Sequence, residues 1–183
     1  IRNKFSKKYD VIETLKELKI KPISLKNSIN NKISLDIIRA EKPDILVSIL
    51  GNEIFKKELI ELAPKGILNL HSSLLPKYRG LMPTFWVLRN NEKYTGVSLF
   101  FVDSGIDTGP ILLQNKLVIG NRTHRQLIMD TKKIGMELIA QAIKLIQKNN
   151  FKLIENKDED MSYFSIPTKE DTKKLISLGK RFF

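Results

Sequence analysis

The chain has 183 residues, enough for one ordinary domain with a buried core and too few for two large ones. Apolar residues make up 42% of it and charged residues 28%, a composition typical of folded globular proteins. The chain has no cysteine, which excludes disulfides, thiolate metal sites and cysteine nucleophiles and favours a cytoplasmic location. No apolar run approaches the roughly 20 residues of a membrane span, so the sequence predicts no membrane partner.

The net charge of +12 favours acidic ligands such as nucleotides, nucleotide-sugars or RNA. The lysines are scattered along the chain, however, and are not gathered into one basic stripe with aromatic residues. An α/β protein that binds RNA through its positive charge therefore stays open as an alternative. That class predicts RNA binding that falls steeply as the salt concentration rises.

Strands and helices alternate in the first 71 residues, as judged from the spacing of apolar residues. We expect an amphipathic helix at 10–18, a short strand at 21–25, and a second helix that Ser34 caps and that Lys42-Pro43 ends. A nearly continuous apolar run at 44–50 predicts a parallel strand buried on both faces. A helix at 54–62 and a buried strand at 66–71 follow.

Beyond residue 71 the pattern changes. We expect a loop at 72–80, a helix at 82–89, strands at 95–102 and 111–119 around a turn at 103–110, and a long helix at 122–148. A short strand, an acidic turn at 158–160 and a helix from Lys169 should follow. Together these elements predict an α/β fold with a Rossmann-like, doubly wound, mostly parallel sheet. Residues 1–150 would form one domain, and residues 151–183 a C-terminal extension that packs on it.

Two places along the chain combine polar side chains with a position suited to a site. Asn69 and His71 end a buried strand and, by alternation, share one face of it about 7 Å apart. Ligands of open α/β sheets bind at the carboxyl ends of the parallel strands, which is where this pair should lie. Asp107 stands in a loop between Gly105 and Gly109, which let backbone approach a ligand closely. By residue type alone, a structural histidine and an ordinary turn aspartate are the commoner interpretations.

The longer sequence motifs around these residues resemble those of a known protein family. Residues 69–80, Asn-Leu-His-Ser-Ser-Leu-Leu-Pro-Lys-Tyr-Arg-Gly, resemble the N-x-H-x-S-L-L-P-x-x-x-G stretch of the formyltransferase family. Thr-Gly-Val at 95–97 and Asp-Ser-Gly-Ile-Asp-Thr-Gly-Pro-Ile at 103–111 resemble its second conserved block. His71 and Asp107 are 36 positions apart, as in members of the family. Two long motifs in the right order are far more specific than one short pattern.

The resemblance implies an enzyme that transfers a formyl group from 10-formyltetrahydrofolate to a primary amine without a metal. It places the catalytic residues at Asn69, His71 and Asp107, where amide and imidazole would stabilise the charged formyl oxygen and the carboxylate would hold the imidazole. It implies that the folate lies against two loops, with contacts at Leu50, Asn52, Glu53, Ile54 and Phe55 and at Val102, Asp103, Gly105 and Ile106. Among these, Asn52 and Glu53 depart from the apolar or basic residues frequent in the family.

For the amine acceptor, the resemblance implies contacts at Ser73, Tyr78 and Arg79, although ordinary loop structure would explain these residues equally well. About 30 residues follow the long helix, too few for the tRNA-contacting barrel of methionyl-tRNA formyltransferases. We therefore expect a small amine such as an amino-sugar nucleotide, with methionyl-tRNA as the alternative and glycinamide ribonucleotide as a less favoured one. A folate-binding module without catalysis is the alternative from another class. The sequence leaves open whether the protein forms a homodimer.

The start of the chain departs from the family pattern. Domains of the family open with a strand, a helix and a second strand before the first helix seen here. The chain begins with Ile1 and not with Met. A sheet without its central strands would expose unpaired edges and core. We therefore expect that these N-terminal strands are missing from this chain and that further residues precede Ile1.

Overall fold

In the computed structural model the structure of residues 11–183 is described. The predicted helix start at Asp10 and the first ten residues of the predicted catalytic domain lie outside this range. The helices are α1 Val11–Glu17, α2 Lys32–Ala40, α3 Lys57–Ile60, α4 Pro83–Arg89, α5 His124–Gln147 and α6 Lys169–Ser177. The strands are β1 Leu46–Ile49, β2 Ile67–His71, β3 Arg79–Gly80, β4 Tyr94–Phe101, β5 Ile111–Val118 and β6 Tyr163–Phe164, and a 3-10 helix covers Asp158–Asp160.

The main sheet of the described residues has the strand order β1-β2-β4-β5. Strands β1 and β2 are parallel, whereas β4 runs antiparallel to both of its neighbours. The predicted α/β class is confirmed, but between residues 11 and 183 the sheet is mixed and not mostly parallel. The connection at 102–110 is too short for the crossover that parallel strands require, so β4 and β5 must form an antiparallel pair.

Three local predictions in the first half of the chain are wrong. Residues 21–25 form no strand. The second helix is capped by Asn31, whose side chain accepts a hydrogen bond from the Ser34 amide at 2.8 Å, so Ser34 lies inside the helix. An asparagine three residues before a serine is as good a cap as the serine itself, and the apolar spacing does not distinguish them. The helix expected at 54–62 is confined to Lys57–Ile60.

Strand β1 is less buried than its apolar sequence predicts. Val47 is 36% exposed and Ile49 45% exposed, while the alternate residues are half-buried. The expectation of burial on both faces is therefore wrong for this strand. It forms an edge of the described sheet, where an apolar run does not guarantee cover on both sides. The expectation of further strands before Ile1 stays a prediction.

Two of the four hydrophobic clusters among the described residues join distant parts of the chain. One lies between α5 and the sheet, with Leu68, Val97 and Leu99 against Leu138 and Ala142. The other surrounds α4, and its fully buried members are Phe85, Val87, Leu88, Ile119, Leu127 and Leu175. The second cluster joins residues of the predicted catalytic domain to α6 of the predicted extension. Helix α4 is therefore the element on which the end of the chain packs.

Backbone hydrogen bonds also join the end of the chain to the rest. Strand β6 pairs in parallel with β3. The indole of Trp86 donates to the Ser165 carbonyl at 3.0 Å, and the His124 amide donates to the Arg181 carbonyl at 2.8 Å. The last bond satisfies one of the free amides at the start of α5. Between residues 11 and 183 no helix has the length and hydrophobicity of a membrane span.

Packing of α6 predicts unequal effects for two neighbouring residues. Leu175 is fully buried, whereas Ile176 is 57% exposed. We expect Leu175→Ala to lower the free energy of unfolding by about 2–5 kcal/mol because it leaves a cavity. Ile176→Ala should lower it by less than about 1 kcal/mol. Urea denaturation of both variants measures the difference, and equally small losses would mean that α6 is not part of the cooperative core.

Stability below neutral pH should depend on His124. Its ring contacts the edges of Phe85 and Phe182 and lies 3.1 Å from the Thr84 hydroxyl, and burial lowers its pKa below the usual 6.5. The unfolded chain therefore binds more protons than the folded one as the pH falls below about 6.5, and stability falls with it. Urea denaturation between pH 5 and 7 should show a weaker pH dependence for His124→Gln. Identical profiles would contradict the role of this ring.

Candidate functional site

A cavity of about 320 Å³ opens at the carboxyl ends of β1 and β2. Its walls are the end of β2, the loop after β1, the loop after β4 and the residues after β3. The proposed catalytic and folate-binding residues all line it, namely Leu50, Asn52, Glu53, Ile54, Phe55, Asn69, His71, Val102, Asp103, Gly105, Ile106 and Asp107. Ser73, Tyr78 and Arg79 do not. The structure thus brings together twelve of the fifteen residues singled out from the sequence.

The direction of Asn69 and His71 follows from the alternation of β2. Leu68 packs in the cluster beneath α5, and Leu70 lies against it from the same face. Asn69 and His71 consequently face away from α5, into the cavity. The Asn69 amide forms no hydrogen bond with any residue between 11 and 183, so its donors are free to meet a ligand.

The ring of His71 is held by backbone. Its Nε2 atom lies 2.7 Å from the carbonyl oxygen of Tyr78. A carbonyl only accepts, so Nε2 carries a hydrogen and donates it. The Nδ1 atom lies 3.6 Å from Oδ2 of Asp107, which is an ion-pair distance when the ring is protonated and is too long for a hydrogen bond. The ring orientation therefore depends first on Tyr78, a partner that the sequence did not suggest.

Asp107 is held by backbone as well. Its Oδ2 atom accepts a hydrogen bond from the Gly80 amide at 2.8 Å. Gly80 has a φ of +93°, and a Cβ atom there would lie 2.2 Å from the carbonyl oxygen of Phe164. Only glycine fits at this close approach of β3 and β6. The glycine that ends the first motif thus presents its amide to the carboxylate of the second.

The loop after β1 is fixed from outside the cavity. Glu53 accepts hydrogen bonds from the Ser28 hydroxyl and the Ile29 amide, and these bonds lower the pKa of its carboxyl group. Asn30 donates to the carbonyl of Ile54 at 2.9 Å. With its backbone anchored in this way, the loop leaves apolar side chains at the cavity mouth, among them the largely exposed Ile54.

The loop after β4 is anchored at its start. The Val102 amide donates to the Ile67 carbonyl at 2.8 Å. The carboxylate of Asp103 accepts from the Gly105 amide at 3.0 Å and from the Thr108 hydroxyl. Because these bonds use the Asp103 side chain inside its own loop, the loop offers a ligand mainly backbone groups and Ile106.

The three residues proposed to bind the acceptor are buried in protein contacts. The Ser73 hydroxyl donates to the Lys77 carbonyl at 3.0 Å. The Tyr78 hydroxyl donates to Glu92 at 2.7 Å, and burial together with this bond raises the pKa of Tyr78 to about 12. Arg79 is 3% exposed and pairs with Asp158 at 2.7 Å. None of the three side chains lines the cavity, and each forms its contacts inside the protein.

Several groups that hold the site residues in place could not be identified from the sequence. The Tyr78 carbonyl and the Gly80 amide act through backbone, and Asn156 reaches the Asp107 loop from 49 positions downstream. Tyr78 adopts a left-handed φ of 62°, which directs its carbonyl to His71. The resemblance implied side-chain roles for Tyr78 and Arg79. In the structure, the contacts to His71 and Asp107 come instead from the main chain of Tyr78 and Gly80. Between residues 11 and 183 no three His, Asp or Glu side chains are grouped as a metal site requires.

Comparison with known proteins shows which family the chain resembles. The family model described as formyl transferase matches residues 2–143. The methionyl-tRNA formyltransferase of Kosmotoga olearia is 34% identical over 164 residues, covering 88% of this chain and 53% of that protein. WlaRD, a sugar 3N-formyl transferase solved with dTDP and 5-N-formyl-THF, has a TM-score of 0.66, 28% identity, and coverage of 88% of this chain and 54% of its own.

A second solved structure is similar to the same extent. The N-formyltransferase from Helicobacter canadensis, solved with folinic acid and dTDP-3-aminofucose, has a TM-score of 0.67 and 28% identity, covering 88% of this chain and 55% of its own. Since the family model matches more than half of the residues, the chain belongs to the formyl transferase family. This confirms the resemblance carried by residues 69–80 and 95–111. The chain spans about half the length of the curated relatives it matches.

Burial of Tyr78 predicts a stability effect without a binding effect. Tyr78→Phe removes the hydrogen bond to Glu92 and should lower the free energy of unfolding by about 1 kcal/mol. Its carbonyl still holds His71, so the KM for any acceptor should stay unchanged. Urea denaturation and steady-state kinetics check the two statements. A KM that rises severalfold at unchanged stability would restore the acceptor-binding role.

Proposed function

We propose that this protein transfers a formyl group from 10-formyltetrahydrofolate to a primary amine, with an amino-sugar nucleotide as the leading acceptor. The observation that carries the proposal is the convergence of Asn69, His71 and Asp107 on one cavity of a formyl transferase family member. An amide donor, an imidazole and a carboxylate are the groups that acyl transfer to an amine requires.

The cavity fits a folate in its chemistry. Apolar side chains at its mouth, among them Ile54, Phe55 and Ile106, suit an aromatic ring system, and the 102–107 backbone suits the hydrogen-bonding edge of a pterin. The proposed folate-binding residues are Leu50, Asn52, Glu53, Ile54, Phe55, Val102, Asp103, Gly105 and Ile106. When bound, 10-formyltetrahydrofolate supplies an activated formyl group, so that neither a metal nor a covalent enzyme intermediate is needed.

Asn69 and His71 would stabilise the charge that develops on the formyl oxygen as the amine nitrogen bonds to the formyl carbon. The Asn69 amide has free donors at the cavity. The His71 Nε2–H is already engaged by Tyr78, so Nδ1 is the atom of this ring that can donate to a ligand once it is protonated. Donors held in place before the reaction stabilise such charge strongly, because the site does not have to reorganise.

Asp107 has two roles in this scheme. Its carboxylate lies 3.6 Å from Nδ1 and would pair with the imidazole when that atom carries a proton. It would also accept, through a water molecule, the proton that the amine loses as its nitrogen bonds to the formyl carbon. That proton would then pass through the same water to the folate nitrogen as its bond to the formyl carbon breaks, which releases tetrahydrofolate. The Gly80 amide occupies one of its oxygens and leaves the other for this second role.

Two acceptor classes have specific support. Solved structures at 28% identity include a sugar 3N-formyl transferase and an N-formyltransferase bound to dTDP-3-aminofucose, which favours an amino-sugar nucleotide. The relatives named methionyl-tRNA formyltransferase at 34% identity, together with the net charge of +12, favour tRNA as the second candidate. A small acceptor predicts transfer that depends little on salt, whereas tRNA predicts a steep loss as salt rises.

The test is a transfer assay with the full-length protein and 10-formyltetrahydrofolate. Amino-sugar nucleotides, methionyl-tRNA and glycinamide ribonucleotide are offered separately, and release of tetrahydrofolate is followed. Transfer to a nucleotide-linked amine supports the leading proposal, and transfer to methionyl-tRNA alone selects the second candidate. Folate binding without transfer to any amine would indicate a binding module. A folded protein that neither binds folate nor transfers formyl groups would refute the proposal as a whole.

Removal of the charge on Asp107 should abolish most of the transfer. We expect Asp107→Asn to lower kcat by about 100-fold or more, since general base catalysis contributes about 10²–10⁴-fold. The amide keeps an oxygen for the Gly80 N–H, so the fold should not change. Asp36→Asn, the same change on the exposed surface of α2, is the matched control and should retain wild-type kinetics. Wild-type kcat in Asp107→Asn would contradict the catalytic role.

A further inference from the structure

Asn156 links the segment after α5 to the loop that carries Asp107. It is 8% exposed, and its Nδ2 atom donates to the Asp107 carbonyl at 2.8 Å and to the Gly109 carbonyl at 2.9 Å. These two carbonyls lie on either side of Thr108, where the loop turns back toward β5. One buried amide thus holds both ends of the turn that presents the Asp107 carboxylate.

Arg79 sets the orientation of the Asn156 amide. The Nη2 atom of Arg79 donates to both the carbonyl and the Oδ1 atom of Asn156 at 3.0 Å. Because a guanidinium only donates, Oδ1 must face Arg79 and Nδ2 must face the loop. Arg79 is itself 3% exposed and forms an ion pair with the exposed carboxylate of Asp158. Arg79 therefore orients the Asn156 amide, and the Asn156 amide in turn holds the backbone at Asp107.

The backbone at Asp107 needs such a restraint. Asp107 adopts a φ of 54°, in the left-handed region that residues other than glycine rarely occupy. A conformation of this kind persists when neighbouring groups hold it, and it is frequent at functional sites. Two hydrogen bonds from Asn156 to the carbonyls of this turn supply the restraint, and the Gly80 amide holds the carboxylate from the other side.

We infer that Asn156 is a positioning residue for the formyl transfer reaction, with Arg79 as the group that orients it. This inference rests on the proposed catalytic role of Asp107. It gives the segment after α5 a part in the active site, and it assigns Arg79, first expected to bind the acceptor, to the interior support of Asp107.

Asn156 acts on one end of the loop. The other end, where Val102, Asp103 and Gly105 line the proposed folate site, is held by the Ile67 carbonyl and by the bond from the Gly105 amide to Asp103. Asp103 also accepts from the Thr108 hydroxyl, a contact that does not involve Asn156 and stays when Asn156 is changed. Loss of Asn156 should therefore displace Asp107 and leave the folate contacts in place. The expected signature is a lower kcat at an unchanged affinity for folate, which a general loosening of the loop would not produce.

Asn156→Asp is the sharpest variant. It keeps the oxygen that Arg79 binds and replaces the amide donors by an oxygen that repels the carbonyls of Asp107 and Gly109. We expect kcat to fall by about tenfold or more, since small displacements of reacting groups are costly. The KM for 10-formyltetrahydrofolate and the calorimetric Kd for tetrahydrofolate should stay within about twofold. Asp160→Asn, a change at an exposed carboxylate of the nearby 3-10 helix, is the control and should behave as wild type.

A second readout does not depend on turnover. The chain has two histidines, so the imidazole ¹H–¹⁵N resonances of His71 and His124 can be assigned by substitution. Displacement of Asp107 should move the His71 resonances in Asn156→Asp and leave those of His124 in place. If wild type transfers no formyl group, the proposed function fails while this spectrum still tests the contact between Asn156 and Asp107.

Two results would overturn the inference. One is a wild-type kcat together with unmoved His71 resonances in Asn156→Asp. The other is a parallel loss of folate affinity and kcat, which would show that Asn156 supports the whole loop and not Asp107 in particular. Should Asn156→Asp fail to fold, Arg79→Lys serves instead, because lysine keeps a charge near Asp158 but cannot bridge the two oxygens of Asn156. It should lower kcat at unchanged tetrahydrofolate affinity, and wild-type kinetics in this folded variant would also overturn the inference.

Discussion

The pairing of Arg79–Gly80 with Tyr163–Phe164 holds the loop on which the rest of the site depends. Within three consecutive residues, the Tyr78 carbonyl binds His71, the Arg79 side chain orients Asn156, and the Gly80 amide binds Asp107. In these contacts the backbone of residues 78–80 lies close to β6. Glycine at position 80 permits this approach because it has no Cβ atom to meet the Phe164 carbonyl. A short strand pair far along the chain thus sets the geometry of residues that belong to two separate motifs.

Backbone groups do most of the positioning at this site. Carbonyls and amides of strands and tight turns have no rotamers to lose, so hydrogen bonds to them hold a side chain at little further cost in entropy. His71 and Asp107 each have such a partner, while no residue from 11 to 183 bonds to the side-chain amide of Asn69, which faces the cavity. The combination of two fixed groups and one free donor suits a reaction that relies on positioning.

Predictions from the sequence agree best with the structure where a single helix or strand determines the position of a side chain. Alternation along β2 correctly places Asn69 and His71 on one face of the strand, which is the cavity face. The loops at 50–55 and 102–107, against which the resemblance places the folate, line that same cavity. Agreement fails for side chains next to a special backbone conformation. Tyr78 has a left-handed φ, Arg79 pairs in β3, and both side chains are buried, and periodicity carries no information about these features.

The sequence by itself determined the α/β class, the order of the main elements after residue 66, and the identity of Asn69, His71 and Asp107 as the polar groups of one site. These follow from the spacing of apolar residues within single elements and from motifs that can be read directly in the sequence. Tertiary structure alone decided the direction of β4, the exposure of β1, and the contact between Asn156 and the Asp107 loop. Such features depend on which distant segments pack together, because a hydrogen bond across 49 positions of chain is favourable only once the intervening helices and strands are in place.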